Sequence, residues 1–368
     1  MYSAATPSAT PLSLHRIALL LALPIAVHVL SVPPAEPVFC GDSNRHVMTS
    51  IFFRDFLADG LSTDPKGYAE RYYEQYPALG LMVWPPLFHG VCGTLMLVFC
   101  TSVVVARALV LASFLSSVWC VHRIARRAFD DDRALATTVL FSVSPLIFDY
   151  GRDVMLEVPA LALVLWSVDQ FDLWLRSGRN RCLYLASVTA ALAALTRFDA
   201  AVLLPFYVAL LCFRGGWSRL FNRHVLAAIA VAVCLVGPVY LVIAKETGEL
   251  HMRQATASVG GSEDGSANGF LAWKNWTYYP LSVVEQCGWP IAILSAIGLL
   301  GSFGRTHRRE RDVLWALLLA TYVTLSPLAE LRARHAIYWV PAIVGFAVCG
   351  VEQITVVLAR LQSLVSRR

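Results

Sequence analysis

Long apolar segments alternate with short polar ones along almost the whole chain. Apolar stretches of about 17 to 25 residues are long enough to cross a hydrocarbon core of roughly 30 Å as helices. Strands in lipid would have to close into a barrel and alternate in polarity, which these segments do not do. The pattern predicts an all-α polytopic membrane protein with about ten transmembrane helices, near residues 14–33, 103–121, 134–150, 157–175, 182–197, 199–213, 224–243, 286–303, 312–328 and 335–351.

Short arginine-rich segments separate pairs of these predicted spans. Arginine and lysine in short loops stay on the cytoplasmic side, so all five segments are predicted to lie there, together with both termini. The apolar piece 91–99 is too short for a span and is predicted to be a re-entrant or interfacial helix. The five basic segments are centred on residues 123–133, 176–181, 214–223, 305–311 and 367–368.

Two long segments are predicted to lie outside the cytoplasm. The first, 34–102, is rich in aromatic residues, acids and prolines, and its stretch 43–60 has apolar residues at the spacing of an amphipathic interfacial helix. The second is 244–280. We predict a single transmembrane domain over 1–351, followed by a short basic cytoplasmic tail over 352–368.

Composition agrees with a membrane protein. Hydrophobic residues make up 57% of the chain and charged residues 15%, and the mean hydropathy is +0.59, which excludes an ordinary soluble globule. The net charge of +5 is modest and lies in the short loops, so it indicates orientation and not nucleic-acid binding. The nine cysteines are scattered without metal-ligand spacing, which argues against a zinc site or a disulfide framework.

A polar cluster interrupts the apolar pattern at 144–159. It carries Asp149, Arg152, Asp153 and Glu157 between two predicted spans. Charged groups in such a position usually face water or a substrate cleft, because burying them in lipid costs about 2.5 to 3.5 kcal/mol each. Two interpretations remain open from these residues alone: a functional cleft, or a turn wetted by solvent.

A second acid, Asp42, follows the first span and is predicted on the same outer face as the polar cluster. A carboxylate there can act as a general base for a hydroxyl within hydrogen-bond reach. Alternatively, Asp42 is the N-cap of the interfacial helix that follows it. The two roles are compatible.

In this arrangement the chain resembles the GT-C superfamily of membrane glycosyltransferases, in particular the branch with protein O-mannosyltransferases and bacterial aminoarabinose and core-sugar transferases. The matching motifs run in the family's order over about residues 42–350. Four positions depart from the pattern: Ser43 stands in place of a second acid, Trp84 and Arg197 in place of lysine, and Glu157 in place of aspartate. The motifs are Asp42, Pro85-Pro86-Leu87, the basic turn 122–134, Ser144-Pro145 with Arg152 and Glu157-Val158-Pro159, LAALTRFD with Arg197, and RHAIYWVPAIVGFAV with Arg334.

The resemblance implies an inverting sugar transfer from a polyprenyl-phosphate donor to a hydroxyl acceptor on a lipid, glycan or protein. Asp42 and Glu157 are implied as catalytic residues, Asp42 as general base and Glu157 more as a positioner of sugar or acceptor. Arg152, Arg197 and Arg334 are implied to bind the donor phosphate, since arginine offers paired donors to a departing phosphate. No cofactor is expected, and a divalent metal is possible but not indicated.

Other interpretations of these residues stay open. The outer-face arginines can snorkel to the lipid headgroups, and His46, His89 and His335 can be structural and not acid–base groups or ligands. A tyrosine cluster over 72–76 can stack on a sugar ring or belong to the interface. Asn275 begins an N-glycosylation pattern.

The rival function is a transporter or a lipid-binding scaffold without catalysis. A transporter is expected to place charged or helix-breaking residues at mid-membrane in corresponding halves, whereas the polar groups here gather at one predicted face. That asymmetry favours the enzyme. A bacterial inner membrane is preferred over the endoplasmic reticulum, because the chain is compact and lacks a retention signal.

Overall fold

The computed structural model describes residues 14–31, 41–77, 79–260, 273–303, 311–328 and 331–366. All regular secondary structure in these residues is helical, which confirms the predicted all-α class. Three short 3₁₀ helices, Phe198–Val202, Trp217–Phe221 and Ala333–Trp339, join α-helices. The α-helices are α1 (Leu14–Ser31), α2 (Gly41–Ala58), α3 (Pro65–Gln75), α4 (Leu87–Val98), α5 (Val103–Ala128), α6 (Asp131–Val143), α7 (Pro145–Arg152), α8 (Glu157–Ser177), α9 (Asn180–Ala194), α10 (Leu203–Arg214), α11 (Arg223–Gly260), α12 (Trp273–Cys287), α13 (Trp289–Phe303), α14 (Asp312–Leu325) and α15 (Val340–Val365).

Each predicted span coincides with a helix or with two consecutive helices. Within the described residues, four helical segments are long and apolar enough to cross a membrane: α5, α8, α11 up to Gly248, and the segment Ala333–Val365. Helices α6 and α7 make a fifth if the pair, bent by 58°, is one span. The protein is therefore an integral membrane protein, and ten crossings stay a prediction.

Two helices run farthest past their predicted ends. Helix α11 continues to Gly260, although its span was predicted to stop at 243, and α15 continues to Val365 through the predicted tail. The polar residues after each predicted end are mostly good helix formers, so the backbone stays helical where hydropathy falls. The first predicted outer segment, 34–102, carries three helices, of which α4 covers the short apolar piece 91–99.

Helix α8 is the centre of the main core. It packs against α5 and α9, and most of its side chains are buried from its first turn to its last. Helix α15 is buried in its first eleven residues, 340–350, where it packs on α13 and α14. A Cβ at Gly298 of α13 would lie 1.9 Å from the carbonyl oxygen of Phe346, so the contact between α13 and α15 requires glycine.

A smaller core attaches α2 and α4 to the body of the protein. Val47 of α2 and Phe88 of α4 join a buried cluster with residues of α5 and with Leu156, just before α8. The backbone N–H of Leu87 also donates to the carbonyl of Leu195, at 2.9 Å. These contacts place the first turn of α2 beside the first turn of α8 and the end of α9.

Candidate active site

An ion pair joins two distant parts of the chain. The Nη2 atom of Arg334 lies 3.0 Å from Oδ2 of Asp42. The Nε atom of the same guanidinium lies 3.6 Å from Oε1 of Glu157. Arg334 thus stands between the two acids predicted to be catalytic.

A second arginine extends this network. Arg197 Nη1 donates to Oε1 of Glu157 at 2.8 Å. Its Nε and Nη2 atoms donate to both carboxylate oxygens of Asp199, at 2.9 and 2.7 Å. The hydroxyl of Tyr338 donates to Asp199 Oδ1 at 2.7 Å. We call Asp42, Glu157, Arg197, Asp199, Arg334 and Tyr338 the outer network.

Each member of the outer network sits where a helix begins or where two helical segments meet. Asp42 lies in the first turn of α2 and Glu157 in the first turn of α8, where the helix dipole favours negative charge. Arg197 lies between α9 and the short helix 198–202, and Arg334 lies in the 3₁₀ helix Ala333–Trp339. Four separate segments therefore supply one cluster.

Exposure distinguishes the two candidate catalytic acids. The Glu157 side chain is 1% exposed, and its Oε2 atom has no hydrogen-bond partner among the described residues. The Asp42 side chain is 28% exposed. Asp42 is therefore the acid that an acceptor hydroxyl can reach, whereas Glu157 is held behind it by two arginines.

The two arginines of the network also differ. Three nitrogen atoms of Arg197 donate hydrogen bonds to two carboxylates, and its side chain is 12% exposed. Arg334 makes one close contact, to Asp42, and its Nε atom lacks a hydrogen-bond partner among the described residues. The geometry leaves Arg334 with more capacity for an added anion.

Arg152, the third predicted phosphate-binding arginine, is not brought into the outer network. It is the last residue of α7, where its guanidinium lies over the ring of Phe148 at 4.8 Å and pairs with Asp149 at 3.1 Å, one turn back. The adjacent Asp153 is buried and accepts from the backbone N–H of Val154. Within the predicted polar cluster, Glu157 pairs with two arginines of the outer network, whereas the ion pair described for Arg152 lies within α7.

Two buried histidines lie close to the network. His46 Nδ1 and His89 Nε2 are 3.1 Å apart, and His46 packs edge-on against Trp84. Burial, together with the charges of His89, Arg197 and Arg334, lowers the pKa of His46 well below its usual value. Burial also lowers the pKa of His89 to about 3. Both rings are therefore neutral at pH 7.

The predicted tyrosine cluster is occupied by contacts within its own region. Tyr72 donates to Asp55 Oδ2 at 2.8 Å and stacks near Tyr76, while Tyr73 donates to the carbonyl of Leu79. These contacts fit the interfacial interpretation. Asn275 is 1% exposed within α12, so in this fold it is not an accessible glycosylation acceptor.

The sequence interpretation missed Asp199 and Tyr338 as members of the site. Asp199 follows Arg197 by two residues and Tyr338 follows Arg334 by four, so both lie inside motifs that had been singled out. The signal that the sequence offered was an acid close to an arginine. An arginine in a poorly hydrated place needs a negative charge beside it, so such an acid is a candidate partner.

A second charged cluster lies toward the other end of α8 and was also missed. Asp169 and Asp172 are fully buried, and four arginines, from α5, α8 and α10, pair with them at 2.6 to 3.1 Å. We call this cluster the inner network. Its arginines are Arg123, Arg127, Arg176 and Arg214.

In the part of the chain that the structure describes, no group of three or more histidine, cysteine, aspartate or glutamate side chains is arranged to hold a metal ion. The guanidinium groups are the cationic groups that this site offers to an anion.

A protein-family model matches part of the chain. Residues 84–241 match the family model described as dolichyl-phosphate-mannose-protein mannosyltransferase. No curated protein matches the sequence significantly.

Solved structures share the fold over nearly the whole chain. ArnT from Cupriavidus metallidurans bound to undecaprenyl phosphate superposes with a TM-score of 0.68 at 16% identity, covering 93% of this chain and 61% of that one. The oligosaccharyltransferase AglB from Archaeoglobus fulgidus, in complex with an inhibitory peptide and a dolichol-phosphate, gives 0.51 at 12% identity, covering 97% and 52%. The chain thus spans about half to three-fifths of the length of these proteins.

The chain therefore has the fold of these two membrane proteins, and its residues 84–241 carry the sequence pattern of the mannosyltransferase family model. The resemblance to the GT-C superfamily predicted from the sequence is confirmed by the mannosyltransferase family model and by the two structures. The predicted enzyme class, a glycosyltransferase, agrees with the description of the family model that matches residues 84–241.

Proposed function

We propose that this protein is an inverting glycosyltransferase that moves a sugar from a polyprenyl-phosphate donor to a hydroxyl acceptor on the extracytoplasmic face. The observation that carries the proposal is the Asp42–Arg334 pair beside Glu157: an accessible carboxylate next to a cation able to bind phosphate. Undecaprenyl phosphate and dolichol-phosphate in the ArnT and AglB structures support a lipid-linked donor.

Asp42 takes the proton of the acceptor hydroxyl. The oxygen then attacks the anomeric carbon while the bond from that carbon to the phosphate oxygen breaks, and the lipid phosphate leaves with the bonding electrons. Arg334 stabilises the charge that develops on this phosphate, since fixed donors in a poorly hydrated cleft act strongly on developing charge. Attack opposite the leaving group inverts the anomeric configuration.

Glu157 and Arg197 hold this pair in place. Glu157 draws Arg334 toward the body of the protein, and Arg197 neutralises Glu157 together with Asp199. We assign Arg197 to positioning and Arg334 to donor binding, because Arg197 has no comparable capacity left. The network lies at the end of α8 opposite the arginine-rich inner network, which supports an extracytoplasmic site. Cytoplasmic termini and a bacterial inner membrane stay predictions from the sequence.

The test is turnover of a radiolabelled polyprenyl-phosphate sugar by the purified protein in liposomes, with lipid and glycan hydroxyl acceptors. The proposal predicts release of polyprenyl phosphate and a product with the opposite anomeric configuration. Retention of configuration would contradict the single-displacement mechanism. Solute movement across the liposome without sugar transfer would instead support a transporter.

A further inference from the structure

The 3₁₀ helix Ala333–Trp339 carries Arg334 and Tyr338 of the outer network, and it is an unusual support for a site. It has seven residues, and Ala336 within it departs from helical geometry, with φ −83° and ψ 16°. Runs of 3₁₀ helix longer than about 3 to 4 residues are uncommon, because their hydrogen bonds are poorly aligned. Contacts from outside the segment must therefore hold it in shape.

Gln286 makes such contacts at both ends of the segment. Its Nε2 donates to the carbonyl oxygen of Ala333 at 2.9 Å, and its Oε1 accepts from the indole Nε1 of Trp339 at 2.6 Å. Ala333 and Trp339 are the first and last residues of the 3₁₀ helix. One side-chain amide thus joins both ends.

Gln286 is itself rigidly held. It is fully buried in the last turn of α12, which Gly288 ends with a φ of +82°. The second proton of its Nε2 is donated to the hydroxyl of Ser282 at 3.0 Å, which in turn donates to the carbonyl of Tyr279 at 2.9 Å. Both amide protons and the amide oxygen are used, so the amide orientation is determined by its partners.

We propose that Gln286 is a positioning residue, which holds the Ala333–Trp339 segment so that Arg334 meets Asp42 and the donor phosphate. This rests on the proposed function. Gln286 touches neither Asp42 nor Glu157 through any hydrogen bond among the described residues, so it acts through the backbone of Ala333, next to Arg334. Leucine can make neither contact, and an ionised glutamate can accept from the indole but cannot donate to that carbonyl.

Two variants separate the halves of the contact. Gln286→Glu, assayed at a pH where its carboxylate is ionised, keeps an acceptor for Trp339 but places a carboxylate against the carbonyl of Ala333. Trp339→Phe removes the indole donor and leaves the Ala333 contact. We expect Gln286→Glu to lower kcat for sugar transfer by about 10- to 100-fold, as misplacement of a group by about 1 Å does. Trp339→Phe leaves the contact to Ala333, the residue directly before Arg334. We therefore expect it to lower kcat less than Gln286→Glu does.

The decisive experiment is a double-mutant cycle with Arg334→Ala, measured as turnover of the radiolabelled donor. Positioning through Arg334 predicts that Gln286→Glu causes little further loss once Arg334 is gone. If the fold-losses of the two single variants instead multiply in the double variant, the proposal is wrong. Gln353→Leu is the matched control, since Gln353 donates to the carbonyl of Gly298 away from the outer network, and it is expected to retain transfer.

Thermal unfolding of each variant accompanies the cycle, so that activity is compared between folded proteins. If Gln286→Glu does not fold, Trp339→Phe combined with Arg334→Ala serves the same cycle. If the wild-type protein transfers no sugar, the proposed function fails. If the wild type transfers sugar and the losses multiply, only the role of Gln286 fails.

Discussion

Arg334 Nη2 lies 3.0 Å from Asp42 Oδ2, although 292 residues separate the two along the chain. The guanidinium occupies one carboxylate oxygen of Asp42, so it competes with an acceptor hydroxyl for that oxygen. A phosphate that binds Arg334 competes for the same guanidinium and weakens its hold on Asp42. Donor binding would then release the base, so that the acceptor is activated when the sugar is in place.

Replacement of Arg334 by alanine tests the assignment of donor binding to this residue. Hydrogen bonds to charged groups contribute about 1.5 to 3 kcal/mol, so we expect the donor concentration at half-maximal rate to rise by about 10- to 100-fold and kcat to fall as well. Steady-state transfer at varied donor concentration measures both. Arg334→Lys is expected to recover only part, since lysine lacks the paired donors.

Arg152→Ala is the companion to this prediction. Arg152 pairs with an exposed acid, and exposed pairs contribute about 0 to 1 kcal/mol. We expect its transfer kinetics to stay close to those of the wild type. If Arg152→Ala impaired transfer as much as Arg334→Ala, Arg152 would be a phosphate-binding residue, and the assignment made from the geometry would be wrong.

Replacement of Arg197 by alanine is expected to act first on stability. The change leaves Glu157 buried without its closest cation and Asp199 without its bidentate partner. Removing one partner of a buried ion pair costs about 3 to 5 kcal/mol. Thermal unfolding in detergent should show a marked fall in Tm, and a Tm equal to that of the wild type would show that Arg197 is not a structural member of the network.

The inner network offers a stability test away from the chemistry. Asp172 is fully buried against Arg127, Arg176 and Arg214, and Asp172→Asn removes the charge that compensates them. We expect a loss of stability of about 3 to 5 kcal/mol, with transfer per folded molecule unchanged. Loss of transfer in molecules that remain folded would place the inner network in the reaction.

The pKa of His89 predicts how stability depends on pH. The usual pKa is 6.5 and the folded value is about 3, so between these values the unfolded chain binds a proton that the folded chain does not. Stability contributed by neutral His89 is therefore present above about pH 6.5 and is lost as pH falls toward 3, at up to about 1.4 kcal/mol per pH unit. His89→Gln removes this group.

Melting curves of wild type and His89→Gln between pH 7 and pH 5 measure the difference. The variant is expected to lose less stability over that interval. Equal slopes would show that His89 does not titrate on unfolding. Arg197 and Arg334, which lower the pKa of the adjacent His46, are present in both proteins, so their contributions cancel to first order.

The sequence predicted the helices well, because hydropathy along the chain is a local signal. Asp42, Glu157, Arg197 and Arg334 were each identified in a separate motif, and the structure brings all four together. Arg152 was grouped with them because it shares a segment with Glu157. The direction of its side chain depends on where α7 ends, which the segment's composition does not specify.

The other contacts that the sequence did not predict are made between residues far apart in the chain, and they depend on how the helices pack. Gln286 and Ala333 meet only when α12 packs beside the 3₁₀ helix, and nothing near Gln286 in the sequence marks that contact. Asp169 and Asp172 stand at the end of a predicted span, where acids ordinarily face the solvent. Their burial follows from arginines on two other helices, so neighbouring residues gave no sign of it.

The most direct measurement of the central claim is the transfer rate of Asp42→Asn from a radiolabelled polyprenyl-phosphate sugar. Its matched control is Asp149→Asn, an exposed aspartate outside the outer network. With Asp42 as general base, the asparagine variant should bind the donor and lose about 10²- to 10⁴-fold in rate, while Asp149→Asn transfers at the wild-type rate. Transfer by Asp42→Asn at the wild-type rate would contradict the account.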